Sequence, residues 1–208
     1  LLTGIMIPTG TIVFDGAVIA AGAHSKSLAS SLGDNIPLDT ERGYHVVIMN
    51  PEVTPRIPTT DAGGKFIATP MEMGLRVGGT VEFAGFAAPP NWKRAHMLYE
   101  HARKLLPGLA SAASEERYTK WMGFRPSIPD SLPVIGRAQR IPDVIYAFGH
   151  GHLGMTGAPM TATLVSELLA GEKPSIDITP FAPTRFTGRK SSDTGSARSA
   201  LPDSQNAA

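Results

Sequence analysis

The 208-residue chain carries 19 Lys+Arg against 18 Asp+Glu, a formal net charge of +1, and no cysteine. That length can bury a real core in one large domain or two small ones. The charge balance argues against a nucleic-acid stripe or an acidic tail, and the missing thiols exclude disulfides, zinc–thiolate sites, iron–sulfur clusters and cysteine catalysis. No apolar run reaches the roughly 18–20 residues of a membrane span. The opening Leu1-Leu2-Thr3-Gly4 has neither an initiator Met nor the order of a signal peptide, so the chain is expected to be the middle of a longer protein. Glycine (22) and proline (18) predict many turns and short strands.

Residues 4–8 and 11–14 read as two short strands around Thr9-Gly10. The apolar run from Ala17 to Ala21 predicts a strand buried on both faces, ending in Gly22-Ala23-His24-Ser25 and a short helix over 26–32 stopped at Gly33. A strand entering a glycine turn and then a helix is the geometry in which a nucleotide cofactor meets the carboxyl ends of strands. It is equally the geometry of an ordinary strand–turn–helix. Asn35-Ile36-Pro37 marks a domain crossing. Beyond it, 44–49, 65–69 and 76–84 read as extended segments of an antiparallel sheet. On the last of these, Val77, Val81 and Phe83 are expected on one face with Gly79, where a ligand or backbone can approach closely, and Arg76, Thr80 and Glu82 on the other.

Residues 91–106 predict a helix capped by Asn91 and ended by Pro107-Gly108, with His96 and His101 on its solvated side. A strand over 117–124 then leads to Arg125, set between Gly123-Phe124 and Pro126. Proline biases the preceding residue toward extended backbone, so this guanidinium can be held rigidly for bidentate contact with a carboxylate. A structural ion pair to Asp130 is the competing reading. Short strands over 133–136 and 144–148 precede Gly149-His150-Gly151-His152-Leu153-Gly154 and a helix over 153–170 with Leu164, Val165, Leu168 and Leu169 inward. The loop reads as a helix start whose free N–H groups, at Leu153, Gly154 and Met155, face developing negative charge, or as a solvated cap. His150-x-His152 offers two metal ligands with no third acidic or thiol partner nearby, so no metal is assigned. Residues 187–208 have almost no apolar content and are expected to be a disordered tail.

Three stretches carry a resemblance. Val18–Ser25 reads VIAAGAHS, Gly123–Asp130 reads GFRPSIPD with Pro133-Val134-Ile135-Gly136 following, and Gly149–Thr156 reads GHGHLGMT. In this order and spacing they resemble the C-terminal half of the D-amino-acid oxidase/dehydrogenase family of FAD enzymes, the bacterial D-amino-acid dehydrogenases most of all. The resemblance covers residues 4–186. It implies an α+β / α/β architecture in which 1–38 and 125–186 are the remnant of a Rossmann-like FAD-binding domain. Residues 39–124 would form an antiparallel-sheet substrate domain.

It further implies FAD as cofactor, approached by Ala21 and Gly22 and by Gly151, His152, Leu153, Gly154, Met155 and Thr156 at the flavin's pyrimidine edge. Arg125 would bind the carboxylate of a small D-amino acid, with Tyr44 and His45 lining the pocket. The implied reaction is oxidative deamination, with hydride passing from the α-carbon to flavin N5 and leaving an imino acid; no side-chain base is assigned. Phe66 stands where glycine-oxidase-like members carry a tyrosine, so no hydroxyl is expected there. The family's N-terminal G-x-G-x-x-G unit is absent. The numerical match at 149–154 has no acidic residue about 20 positions on after a second strand. The chain is therefore expected to be a fragment or part of a split enzyme, partnered by an N-terminal FAD-binding polypeptide or an electron acceptor. The alternative is a non-catalytic truncated product or structural subunit unable to hold FAD alone. No nucleic acid or transmembrane segment is expected, and the setting is cytoplasmic or peripheral at the inner face of the membrane.

Overall fold

The computed structural model describes residues 4–109 and 118–187. It is a mixed α/β protein with three sheets and few helices. The strands β1 (Gly4–Ile7) and β2 (Gly10–Val13) pair as an antiparallel hairpin. A second sheet has the order β3-β10-β9, from Ala17–Ile19, Val144–Phe148 and Val134–Arg137, with β3 and β10 parallel. The third is antiparallel, in the order β5-β6-β7-β4-β8. Its strands are β4 (Asp39–Ile48), β5 (Thr59–Asp61), β6 (Phe66–Met71), β7 (Gly74–Phe83) and β8 (Tyr118–Ser127).

The two larger sheets each acquire a core from their sequence pattern. Along α2 (Lys93–Leu105), Ala95, Leu98, Tyr99 and Ala102 recur at helical spacing and are all buried. They pack on Tyr44, Val46, Ile48, Phe66, Ala68, Leu75 and Val77 from one face of the large sheet. Gly79 belongs to this face. A Cβ there would lie 2.8 Å from the Lys65 carbonyl oxygen and 3.1 Å from Leu98 Cδ2, so the close approach it permits is that of α2 and β6, not of a ligand. The helix starts at Trp92 without a side-chain cap; Asn91 instead donates its backbone N–H to the Tyr44 hydroxyl at 3.0 Å. His96 is exposed, whereas His101 is half-buried against the Phe66 ring.

The smaller core joins α1 (Ser25–Ser31) and β9–β10 through Ala29, Leu38, Ile128, Val144, Tyr146 and Phe148. α3 (Gly154–Leu169) packs on β9 and β10 with Leu164 and Leu168 buried outside that cluster, while Val165 is half-buried and Leu169 is 53% exposed. Gly171, at φ +73°, ends that helix.

Three further expectations about the sheets and their boundary differ from the structure. β3 is not covered on both faces among the described residues: Val18 is 39% exposed, on a strand that pairs only with β10. On β7, Val81 and Phe83 do not share a face with Val77. The pairing Gly43↔Val81 and Tyr44↔Gly79 leaves Thr80 as an extra residue at φ +61°, and this β-bulge inverts the alternation beyond it. The division expected between residues 124 and 125 falls inside β8, which runs unbroken to Ser127. The disorder expected over 187–208 falls outside the described residues except at Thr187.

Candidate active site

The face of the large sheet opposite α2 forms the floor of a cleft of about 470 Å³. Strand periodicity puts Glu41, Gly43 and His45 of β4 on this face, with cross-strand partners Arg125, Gly123 and Trp121 of β8. The Gly43–Gly123 pair makes the floor flat. A Cβ on Gly43 would fall 2.1 Å from Arg125 Nη2, and one on Gly123 would fall 2.0 Å from the Trp121 indole. The two side chains therefore lie down across the two glycines. Gly123 accommodates the indole.

Arg125 is half-buried, and its Nη1 is buried without a hydrogen-bond partner among the described residues. Burial lowers its pKa most, Glu41 opposes that, and Arg76 adds to it. Asp130 is not its partner; that carboxylate pairs with Arg185 at 2.9 Å. A buried donor left unpaired costs about 1–3 kcal/mol, more when charged, and a bound carboxylate would relieve it. Glu41, directly opposite, does not fill the role: His152 Nε2 lies 2.9 Å from its Oε2, and the Ser127 hydroxyl donates to its Oε1 at 2.8 Å. These bonds, that to His152 first, hold the Glu41 carboxyl below its ordinary pKa.

His45 stacks on Trp121 at 4.7 Å between ring centroids, and Arg76 Nη2 lies 3.4 Å from its Nδ1. Burial and then the nearby Arg76 charge lower its pKa to about 4, so the ring is neutral near pH 7. Tyr44, its chain neighbour, points the other way. The Tyr44 side chain is buried under α2, with its hydroxyl donating to Glu82 and accepting from the Asn91 N–H. Phe66 is likewise in that core.

The second glycine loop meets the cleft from the neighbouring sheet. Because β3 and β10 are parallel, the turn at Ala21-Gly22 and the loop 149–153 leave the same end of that sheet. Gly151 donates its N–H to the Pro126 carbonyl at 2.8 Å, tying the loop to the arginine strand. The free N–H groups are shifted one residue from expectation. Leu153 N–H bonds the His150 carbonyl at 2.9 Å, and Gly157 N–H is the first to bond back along α3, to Leu153. Gly154, Met155 and Thr156 are thus the uncapped positions, since α3 has no side-chain cap. Gly22 (φ +55°) and Gly151 (φ +53°) have open space where a Cβ would stand. His150 and His152 diverge, the first to Thr161 Oγ1 at 2.9 Å and the second to Glu41. Among the described residues no cluster of three metal-ligating side chains occurs.

The model of the FAD dependent oxidoreductase (DAO) family matches residues 3–168. The chain belongs to this FAD-dependent oxidoreductase family. Among curated relatives it is 49% identical over 185 residues to a D-amino-acid oxidase of Bradyrhizobium diazoefficiens, covering 89% of this chain and 44% of that protein. It is 32% identical over 188 residues to a D-amino acid dehydrogenase of Paramagnetospirillum magneticum, again 89% of this chain and 44% of the relative. The solved glycine oxidase of Geobacillus kaustophilus shares the fold, at TM-score 0.71 and 24% identity over 87% of this chain and 48% of that one. The chain thus spans less than half the length of these relatives. Members of the family bind FAD, and the open glycine loop, the uncapped amides of α3 and their place at the ends of parallel strands suit its flavin edge. No strand follows α3 among the described residues.

Sequence reasoning did not reach Glu41, Gly43, Arg76 or Trp121. Period two from Arg125 would have reached Trp121, and period two from His45 would have reached Gly43 and Glu41; Arg76 comes to the site through strand pairing.

Proposed function

We propose that this chain is the substrate-binding and flavin-edge part of an FAD-dependent oxidase or dehydrogenase of D-amino acids, and the C-terminal part of such an enzyme. The reading rests chiefly on Arg125, whose buried, unpaired Nη1 lies over Gly43 in a cleft joined to the glycine loop through Gly151 and Pro126. Arg125 binds the amino acid's carboxylate. Neutral His45 and Trp121 wall the cleft, and Tyr44 has a structural role beneath it. FAD, when bound, supplies the two-electron acceptor for the α-carbon. The amides of Gly154, Met155 and Thr156 stabilise negative charge at the flavin edge, an effect of about 0.3–1 kcal/mol for an exposed helix end and more when desolvated. Ala21 and Gly22 leave the cofactor room beside this loop. His152 is held at the cleft rim by Glu41 and there meets both cofactor and substrate.

Residues 4–38 and 128–186 form the cofactor-side unit, and 39–109 with 118–127 the substrate-side unit, the boundary moving to the end of β8. That the chain is one part of a larger enzyme is supported by apolar surface around β1–β3. Ile5, Ile12, Val13, Val18 and Leu28 are each between 39% and 78% exposed. Large apolar patches of this kind mark contact with further protein. The test is visible absorbance of the purified chain with added FAD, alone and with a G-x-G-x-x-G half of a relative supplied in trans. Flavin retained only in the mixture, and bleached there by a D-amino acid without oxygen, is the expected result. Bleaching by the L-enantiomer alone would overturn the substrate reading.

A further inference from the structure

The cleft holds a second arginine that the amino-acid reading leaves idle. Arg76 of β7 lies on the cleft face, and its Nη1 would be 3.7 Å from a Cβ on Gly78, so it lies across that glycine as Arg125 lies across Gly43. Among the described residues no carboxylate comes within ion-pair distance of it; its polar neighbour is His45 Nδ1 at 3.4 Å. Exposed Lys65 lines the same wall. The acidic side chain on this face, Glu41, is already engaged by His152 and Ser127. An open cleft with cations at two places along its floor is built for more than one negative charge.

We infer that the cleft selects amino acids carrying a second carboxylate, the α-carboxylate on Arg125 and the side-chain carboxylate on Arg76. This rests on the amino-acid reading of the same site and narrows it. The sheet sets the spacing. His45 pairs with Gly78, and Gly43 lies two residues along β4 on the same face, so the two glycines under the guanidinium groups are about 8 Å apart. A five-carbon dicarboxylate places its carboxyl carbons about 5 Å apart when extended. With an N–H···O contact of about 2.8 Å at each end its extended reach is about 10–11 Å, more than that spacing, so it engages both groups from above the floor and is not stretched flat between them. Mutual repulsion supports the same conclusion: Arg76 is among the influences lowering the Arg125 pKa, and a dianion between them removes that penalty.

The test uses the full chain mixed with the G-x-G-x-x-G half supplied in trans and FAD in excess, without oxygen, and measures dissociation constants for D-glutamate and D-glutamine, which differ in charge but hardly in shape. The wild type should bind D-glutamate at least tenfold more tightly. Arg76→Gln should bring the two within about twofold by weakening D-glutamate alone, and Arg76→Lys should restore part of the preference. Arg125→Gln should weaken both. A wild-type ratio near one, or a ratio unchanged in Arg76→Gln, with both ligands still dependent on Arg125, overturns the dicarboxylate inference and leaves the amino-acid reading intact. Binding of neither ligand, or binding indifferent to Arg125, overturns both.

Discussion

Gly43 does as much for the site as Arg125, although it has no side chain. The guanidinium occupies the space a Cβ would take, and the clashing atom, Nη2, is the far end of a flexible side chain. Gly43→Ala should therefore swing the guanidinium aside while leaving thermal stability nearly unchanged. The expected reading is a loss of roughly tenfold in D-amino-acid affinity with a shift in Tm of only a few degrees. Arg125→Ala in an FAD-loaded, full-length relative carrying this half should cost about 2–4 kcal/mol in kcat/KM, and an unchanged value would remove Arg125 from the substrate site. His45 gives a pH test. Its folded pKa of about 4 lies below the ordinary 6.5, so between these values the unfolded chain binds more protons than the folded one. Stability should fall as pH drops from 6.5 toward 4 and level off below. Burial lowers the His150 pKa too, in the same direction. Urea midpoints at pH 7 and pH 5 should therefore differ less in His45→Gln than in the wild type.

At the scale of the element, the bulge at Thr80 has the largest functional consequence. It turns Val81 from the α2 side to the cleft side and turns Glu82 inward, where it meets Tyr44, Arg42 and Arg94. Period-two reading of 76–83 places these residues correctly only as far as Gly79. The bulge has no local signature of its own, because Thr80 is neither Gly nor Asn and its φ +61° is set by the partner strand. Helix α2, by contrast, is legible from its apolar stripe because the sheet it packs on asks only for small and apolar groups at Ala95, Leu98 and Ala102. Gly79→Ala tests that packing. Its Cβ would meet backbone at 2.8 Å and Leu98 at 3.1 Å, so a loss of about 1–3 kcal/mol in chemical denaturation is expected.

Across the molecule, Arg42 is the hidden link between the sheet units. It is fully buried, ion-paired to Glu82 at 3.6 Å, and donates to the carbonyls of Gly85, Pro89 and Ala88 at 2.6–3.1 Å. This fixes the loop 84–90, whose Phe86 stacks on His24 at 4.8 Å and meets Phe124 in a tilted contact at 4.9 Å, joining the turn after β3 to the large sheet. Removing one partner from such a buried network costs about 3–5 kcal/mol. Arg42→Met should lose that much stability and open the loop to proteolysis, and an unchanged digestion pattern would mean the loop is held otherwise. Among the described residues no helix is long and apolar enough to cross a membrane. The sequence by itself determined the mixed fold, the helices, the glycine loop before α3 and the extended backbone at Arg125, because those depend on local periodicity and on backbone preferences of Gly and Pro. Only the tertiary structure decided what surrounds Arg125. Glu41, Gly43 and Arg76 lie 84, 82 and 49 positions away from it in the chain and reach it through strand register, which a single sequence does not encode locally.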